Sequence, residues 1–309
     1  MAGVNQTQVT EFVLLGFSHG RPFLFALFLA IYLATLLGNS AILFLVSLDP
    51  HLHSPMYFFL SHLSCLDLCY SSVTVPKLLA NALRPRATIS YGGCLAQAFS
   101  LMWCAGAECA LLVLMACDRG LAVCRPLHYG RAGGPGPCAA AAAGCWLWGL
   151  LDSALHTLLA ARLSFCGAAR LQHIFCDVPP LLGAACSDTR LNELALHISS
   201  VFVGLGPFLL VVISYLCILA TILRMPLATS RRKAFSTCSA HLLVVTLYFV
   251  TANLNYNRPS SGYSPAADTL VSVLYCIITP MLNPLIYSLR NQEVRGALRK
   301  VLWQGRVSE

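Results

Sequence analysis

The chain has 309 residues, of which 57% are hydrophobic and only 10% charged. Soluble domains carry about 25% charged residues, so this chain cannot clothe a water-facing surface of its own size and reads as a protein that faces lipid. Its net charge of +8 does not point to nucleic acid, because the basic residues flank apolar segments and form no solvated patch.

A bilayer core about 30 Å thick is crossed by roughly 20 apolar residues in a helix, the form that satisfies each backbone group internally. Seven runs qualify in chain order: 23–47, 56–79, 94–123, 138–160, 194–223, 237–254 and 270–289. The alternating strands of about 10 residues that mark a membrane β-barrel are not seen. The expected fold is therefore an all-α bundle of seven transmembrane helices over 23–289, with a tail over 1–22 and a cytoplasmic helix and tail over 290–309.

Residues 1–20 show neither a basic start nor a sustained apolar core, so no cleavable signal is expected and the first span serves as the targeting signal. Asn5-Gln6-Thr7 fits the glycosylation sequon. The second run contains Asp67 and the third contains Glu108. Ionisable groups inside a membrane are costly and are functional candidates by default. Sequential antiparallel helices let these two carboxylates share a depth, where they resist double ionisation. They hold a cation such as sodium, share a proton, or simply hydrogen-bond to polar neighbours such as Asn283.

Asp118-Arg119 ends the third run, and the stretch 130–137, GRAGGPGP, is too rich in Gly and Pro for a helix and reads as a loop. The long segment 162–193 holds Cys166, Cys176 and Cys186, with Cys94 opening the third run on the same side. Four cysteines allow three pairings, and spacing alone does not choose. His241 opens the sixth run and reads as a packing residue rather than a ligand. Asn283-Pro284 breaks the seventh, because proline removes a backbone bond and kinks the helix. Beyond it, Val294, Leu298, Val301 and Leu302 share one face of a short amphipathic helix suited to the inner leaflet.

With the N-terminus outside, the inner segments collect Arg119, Arg231, Arg232, Lys233, Arg295, Arg299 and Lys300 among others, which fits the positive-inside rule. The sequon and the cysteine-rich segment then share the outer side. No Ser/His/Asp constellation, HExxH or Gly-rich phosphate loop is present, so neither catalysis nor a metal site is expected. Seven helices also permit a transporter or channel, but no inverted pair of broken helices and no ring of pore charges is readable.

Several strings in order carry a closer resemblance: Gly38-Asn39, then PMYFFL from Pro55 to Leu60, Met115-Ala116-Cys117-Asp118-Arg119, Ser214-Tyr215, KAFSTCSAHL from Lys233 to Leu242, and PMLNPLIYSLRN from Pro280 to Asn291. In these the chain resembles the odorant receptors, within the rhodopsin-like G-protein-coupled receptors, over almost its full length. The resemblance implies disulfides Cys94–Cys176 and Cys166–Cys186, and a sodium-linked acidic pair at Asp67 and Glu108. It implies an activation set of Asp118, Arg119, Tyr215, His241, Asn283, Pro284 and Tyr287. It also implies an odorant pocket in the outer half of the bundle. By helix phase, Leu101, Met102, Ala105, Gly106, Phe202, Asn253 and Tyr256 should face that pocket. The implied partners are a small, mostly apolar volatile odorant, a stimulatory heterotrimeric G protein and the plasma-membrane bilayer, with cyclic AMP rising on activation.

Two departures stand out. Where the family reads Tyr-Val-Ala-Ile-Cys after Asp-Arg, this chain reads Gly120-Leu121-Ala122-Val123-Cys124, and Tyr248-Phe249-Val250 stands for Phe-Tyr-Gly. Gly120 removes an aromatic ring from the face that meets the G protein. Weakened coupling is the expected consequence.

Overall fold

The computed structural model describes residues 9–16, 21–125, 129, 134–166, 169–224, 228–256, 265–290 and 292–307. The Asn5 sequon lies outside them. The helices in order are α1 (Arg21–Leu48), α2 (Pro55–Ala82), α3 (Tyr91–Cys124), α4 (Pro135–Ala160), a short α5 (Val178–Ala184) and α6 (Arg190–Leu223). Then come α7 (Ala228–Tyr256), α8 (Pro265–Val273, Leu274–Ile278 and Thr279–Arg290 without a break) and α9 (Gln292–Val307). Six of these are long and apolar enough to cross a membrane. The seventh bundle helix, α7, contains the apolar run 237–254 read as the sixth span.

The surface explains the composition. Leu147, Trp148, Leu151, Leu155 and Leu158 of α4 and Leu209, Leu210, Ile213 and Leu216 of α6 all point outward and exposed. An apolar belt of this extent suits lipid and not water. Polar side chains turn inward instead: Asn39, Asp67, Ser71, Thr74, Glu108 and Asn283 are all buried.

Close helix approaches are set by small residues. A Cβ on Gly149 of α4 would stand 2.4 Å from the Trp103 carbonyl oxygen and 2.6 Å from the Ala107 nitrogen of α3. A Cβ on Gly106 would stand 2.9 Å from Gly149 Cα. The α3–α4 crossing therefore depends on two facing glycines, the membrane device for bringing backbones together.

Prolines shape the remaining helices. Pro284 has no N–H for the Pro280 carbonyl one turn earlier, and Asn39 Nδ2 of α1 donates to that carbonyl at 3.0 Å. Gly38 beside it leaves room for the Pro284 ring, whose Cγ would be 2.8 Å from an added Cβ. Pro76 kinks α2, and Gln97 Nε2 of α3 donates to the Val73 carbonyl nearby at 2.9 Å. Two π-helical stretches, Ser200–Leu205 and Leu274–Ile278, precede Pro207 and Pro280. Each widened turn closes with an N–H that reaches the carbonyl five residues back, Gly206 to Val201 and Thr279 to Leu274.

One expectation is corrected and one segment gains detail. The stretch 130–137 is not loop throughout, because α4 begins at Pro135. Proline suits the first helical position, where its fixed φ fits and its missing N–H would have had no partner. The tail expected over 1–22 contains strand β1 (Glu11–Leu14), the centre of a three-stranded sheet. It pairs antiparallel with β2 (Thr88–Ser90) and parallel with β3 (Arg170–Leu171). Phe12 and Leu14 alternate inward, and the Phe12 ring meets Phe165 edge-on at 5.0 Å.

Candidate functional site

A cavity opens between α3, α4, α6, α7 and α8, at the end of the bundle that carries the disulfides. Met102, Ala105, Gly106 and Cys109 line it from α3, and Asp152 from α4. Leu196, Ser199, Ser200, Val203 and Gly204 of α6 form a second wall. Tyr248, Ala252, Asn253 and Tyr256 of α7 and Tyr275 of α8 complete it. The two π-helical stretches both border this space, the kind of place where such stretches recur.

Five of the seven residues expected from helix phase line the cavity: Met102, Ala105, Gly106, Asn253 and Tyr256. Leu101 is buried in the core behind it. Phe202 is 67% exposed on the outside of the bundle. The expectation for Phe202 assumed 3.6 residues per turn, and the π-helical stretch turns the face of α6 so that Val203 and Gly204 point inward instead. Asp152 was not singled out from the sequence, although it carries the signal that marked Asp67 and Glu108, an acid within an apolar run.

The floor is a tyrosine chain. Tyr248 Oη donates to the Ala105 carbonyl at 2.9 Å and lies 3.4 Å from Tyr275 Oη, which is 2.5 Å from Tyr70 Oη of α2. The family's Tyr at the next position is Phe249 here, and its ring packs against Phe208 at 5.6 Å. The departure thus moves a hydroxyl by one residue and brings it to the cavity.

The roof is the segment between α4 and α6. Cys94–Cys176 and Cys166–Cys186 close as the resemblance implies. The first bridge ties the roof to α3, where Cys176 N–H also donates to Gln97 Oε1 at 2.8 Å. Val178 of α5 then packs with Met102 and Leu196, against Leu182 and Tyr256. A buried polar relay fastens the roof to the last two bundle helices. Asn255 Nδ2 donates to Asp177 Oδ2 at 3.1 Å, Ser272 Oγ donates to Asn255 Oδ1 at 2.8 Å, and His173 Nε2 is 3.0 Å from Ser272 Oγ.

Deeper in the bundle, Asn283 Nδ2 donates to both oxygens of Asp67, at 3.0 and 3.1 Å. Glu108 Oε1 and Asn283 Oδ1 are buried without hydrogen-bond partners among the described residues. Asp67 and Glu108 lie close enough to interact electrostatically. Unsatisfied buried oxygens beside two carboxyl groups are a donor set that fits a small hard cation.

At the opposite end Arg119 Nη2 is 2.5 Å from Asp118 Oδ2 and 3.4 Å from Tyr129 Oη. Burial, and then the Asp118 carboxylate, push the Tyr129 phenol up to about 12, so it keeps its proton. Tyr215 Oη of α6 is hydrogen-bonded to His241 Nδ1 of α7. His241 Nε2 and Tyr287 Oη are buried with no partner among the described residues. Beneath them α9 is pinned by Tyr57 Oη, which donates to Glu293 Oε2 at 2.6 Å, and by Lys300 Nζ, 3.5 Å from Asp49 Oδ2.

Residues 28–305 match the family described as "Olfactory receptor". Among curated relatives, human "Olfactory receptor 1F1" is 48% identical over 99% of both chains. Human "Olfactory receptor 2A12" is 46% identical over 98% of both. "Olfactory receptor 1G1" of Gorilla gorilla gorilla is 47% identical over 98% of both.

Proposed function

The chain belongs to the olfactory receptor family, multi-pass membrane receptors rather than enzymes, and from that premise we propose that it converts odorant binding in the cavity into activation of a stimulatory G protein at Arg119. The observation that carries this reading is the mostly apolar cavity walled by the helices whose far ends hold the Asp118–Arg119 pair and the Tyr215–His241 bond. A small apolar ligand with one polar group suits such a space.

The ligand shifts the bundle only by its differential affinity for two arrangements. In the arrangement described here, Arg119 is held by Asp118 and Tyr129. An outward swing of the inner half of α7 breaks the Tyr215–His241 bond and frees the Tyr215 hydroxyl. The unpartnered Tyr287 hydroxyl then has a new neighbour within reach, which lowers the cost of the open state. Opening presents Arg119 to the G protein, and cyclic AMP rises. Cavity and inner face are thereby linked by one coupling free energy.

Asp67, Glu108 and Asn283 would hold a sodium ion, which supplies a positive charge between two buried carboxyl groups. Asn283 orients Asp67 in either case. The orientation follows from the cation-rich inner segments and the disulfides, which together support an extracellular N-terminus and a cytoplasmic C-terminus at the plasma membrane.

A cyclic-AMP reporter in cells carrying a stimulatory olfactory G protein tests the reading over a broad odorant panel, with surface staining of the same cells. We expect dose-dependent responses to some neutral odorants, and loss of them in Arg119→Ala at equal surface level. Responses that survive Arg119→Ala would contradict the assignment of that residue.

A further inference from the structure

Asp152 is the only acid in α4 and the only Asp or Glu among the residues lining the cavity, where no Lys, Arg or His is present. Ser199 Oγ donates to Asp152 Oδ1 at 2.6 Å, and His156 Nε2 stands 3.6 Å from the same oxygen. Both contacts fall on Oδ1, which leaves Oδ2 with no donor among the described residues. A carboxyl group set into the apolar wall of a membrane bundle is expensive to keep half-satisfied. Its one hydrogen bond comes from the facing helix, from Ser199 just before the π-helical stretch of α6, while His156 one turn along α4 lies nearby at 3.6 Å without a hydrogen bond.

The rest of the cavity offers only neutral polar groups. Asn253 Nδ2 is turned back to the Phe249 carbonyl at 2.8 Å, and Tyr248 Oη donates to the Ala105 carbonyl. The remaining walls are mostly apolar or aromatic, Met102, Leu196, Val203 and the rings of Tyr256 and Tyr275, and the Tyr256 hydroxyl, buried without a partner among the described residues, is neutral where Asp152 is an acid. A ligand head with a hydrogen to donate gains a charge-assisted bond at Asp152. A head that only accepts brings lone pairs against a carboxylate and loses its own water in return. An ammonium head gains further from the tyrosine faces.

We propose that Asp152, positioned by Ser199, is the charged anchor of the cavity and selects ligands whose head group donates a hydrogen bond, a hydroxyl or an ammonium, over acceptor-only ligands of the same shape. This rests on the cavity being the odorant site. The size of the preference follows from one hydrogen bond to a charged group, about ten- to a hundredfold in affinity.

The test is thermal stabilisation of the purified full-length receptor in lipid nanodiscs by matched rings: cyclohexanol, cyclohexylamine and cyclohexanone, with their five-, seven- and eight-membered homologues. The alcohol or the amine should stabilise at concentrations about tenfold or more below the matching ketone. Asp152→Asn should collapse that ratio, because an amide both donates and accepts and so readmits ketones. Loss confined to the amine identifies an ammonium ligand; loss for the alcohol identifies a hydroxyl one. Asp152→Glu keeps the carboxylate and should keep the preference, which guards against a folding defect in the first variant.

Equal potency of alcohol, amine and ketone on the native receptor overturns the proposal. So does a ratio unchanged in Asp152→Asn, or no stabilisation by any alcohol or amine. Gly204→Leu separates the two claims. A Cβ there meets nothing closer than Asn253 Oδ1 at 3.8 Å, so the side chain enters the cavity without a backbone clash. Binding that persists in Gly204→Leu overturns the cavity as the site. Binding lost there while Asp152→Asn leaves the ratio intact overturns only the anchor.

Discussion

Gly120 departs from the Tyr of the family pattern, and the structure gives the immediate consequence. An added Cβ would lie 3.0 Å from Ser214 Oγ, a hydroxyl that donates to the Ala116 carbonyl. A side chain at 120 therefore requires that hydroxyl to rotate, a small adjustment, and in return removes a helical glycine that weakens α3 by about 1 kcal/mol relative to alanine. Gly120→Tyr should raise the maximal cyclic-AMP response at equal surface level, while Gly120→Ala isolates the helix effect; an unchanged or lower response in the tyrosine variant would sink the idea. Tyr248→Phe strips a hydroxyl from the Ala105 carbonyl and from Tyr275, a loss of about 1 kcal/mol in thermal unfolding, together with altered potency of ligands that reach the floor.

Single residues were legible in the sequence when their chemistry clashed with their surroundings. Asp67 and Glu108 announced themselves as acids in apolar runs, and the structure brings Asn283 onto Asp67. Asp152 carries the same signal, an acid in an apolar run, and the structure places it in the cavity wall. Phe202 failed for a different reason. Helix phase was extrapolated through Ser200–Leu205, where the turn widens, and only the neighbouring Pro207 hinted at that.

At the scale of elements, the helices behave as glycine and proline direct. Gly149→Leu would drive a side chain into the Trp103 carbonyl and Ala107 nitrogen of α3. Backbone does not yield to such a clash, so α3 and α4 must separate. We expect destabilisation of about 3 kcal/mol or more and a fall in surface level, whereas Gly144→Leu, with nothing within 4 Å of its Cβ, should be tolerated. Asn39→Leu should lower the melting temperature as well, because the Pro280 carbonyl then loses the donor that replaces the missing N–H of Pro284. That loss is about 1–3 kcal/mol for a buried acceptor. A melting temperature equal to that of the native chain would show that the carbonyl finds another partner. The kink was readable from Pro284 alone, but its partner 241 residues away in sequence was not. Strand β1 was likewise hidden: four residues are too short a run for alternation to stand out from an apolar tail.

For the whole molecule, composition and the spacing of apolar runs already implied a lipid-facing bundle, because few charges and seven long hydrophobic stretches admit little else. Tertiary contacts were beyond that reading. The roof relay from Asp177 through Asn255 and Ser272 to His173 joins segments that no local pattern links. The sodium site proposed at Asp67 and Glu108 belongs to this scale too, because an ion that binds one arrangement of the bundle better than another shifts the balance between them. Replacing sodium by a bulky organic cation should lower the melting temperature of the purified receptor, by about 2–4 °C per kcal/mol of lost binding. Asp67→Asn should abolish that difference. A sodium effect of full size in Asp67→Asn would remove the acid from the site.

The central claim is that a ligand in the cavity opens the far end of the same bundle. Its most direct test is the separation of fluorophores at positions 125 and 231, at the ends of α3 and α7 far from the cavity, in purified receptor without G protein. An odorant that raises cyclic AMP should increase that distance, and Gly204→Leu should prevent the increase. A distance that stays fixed while the same odorant raises cyclic AMP would contradict the account.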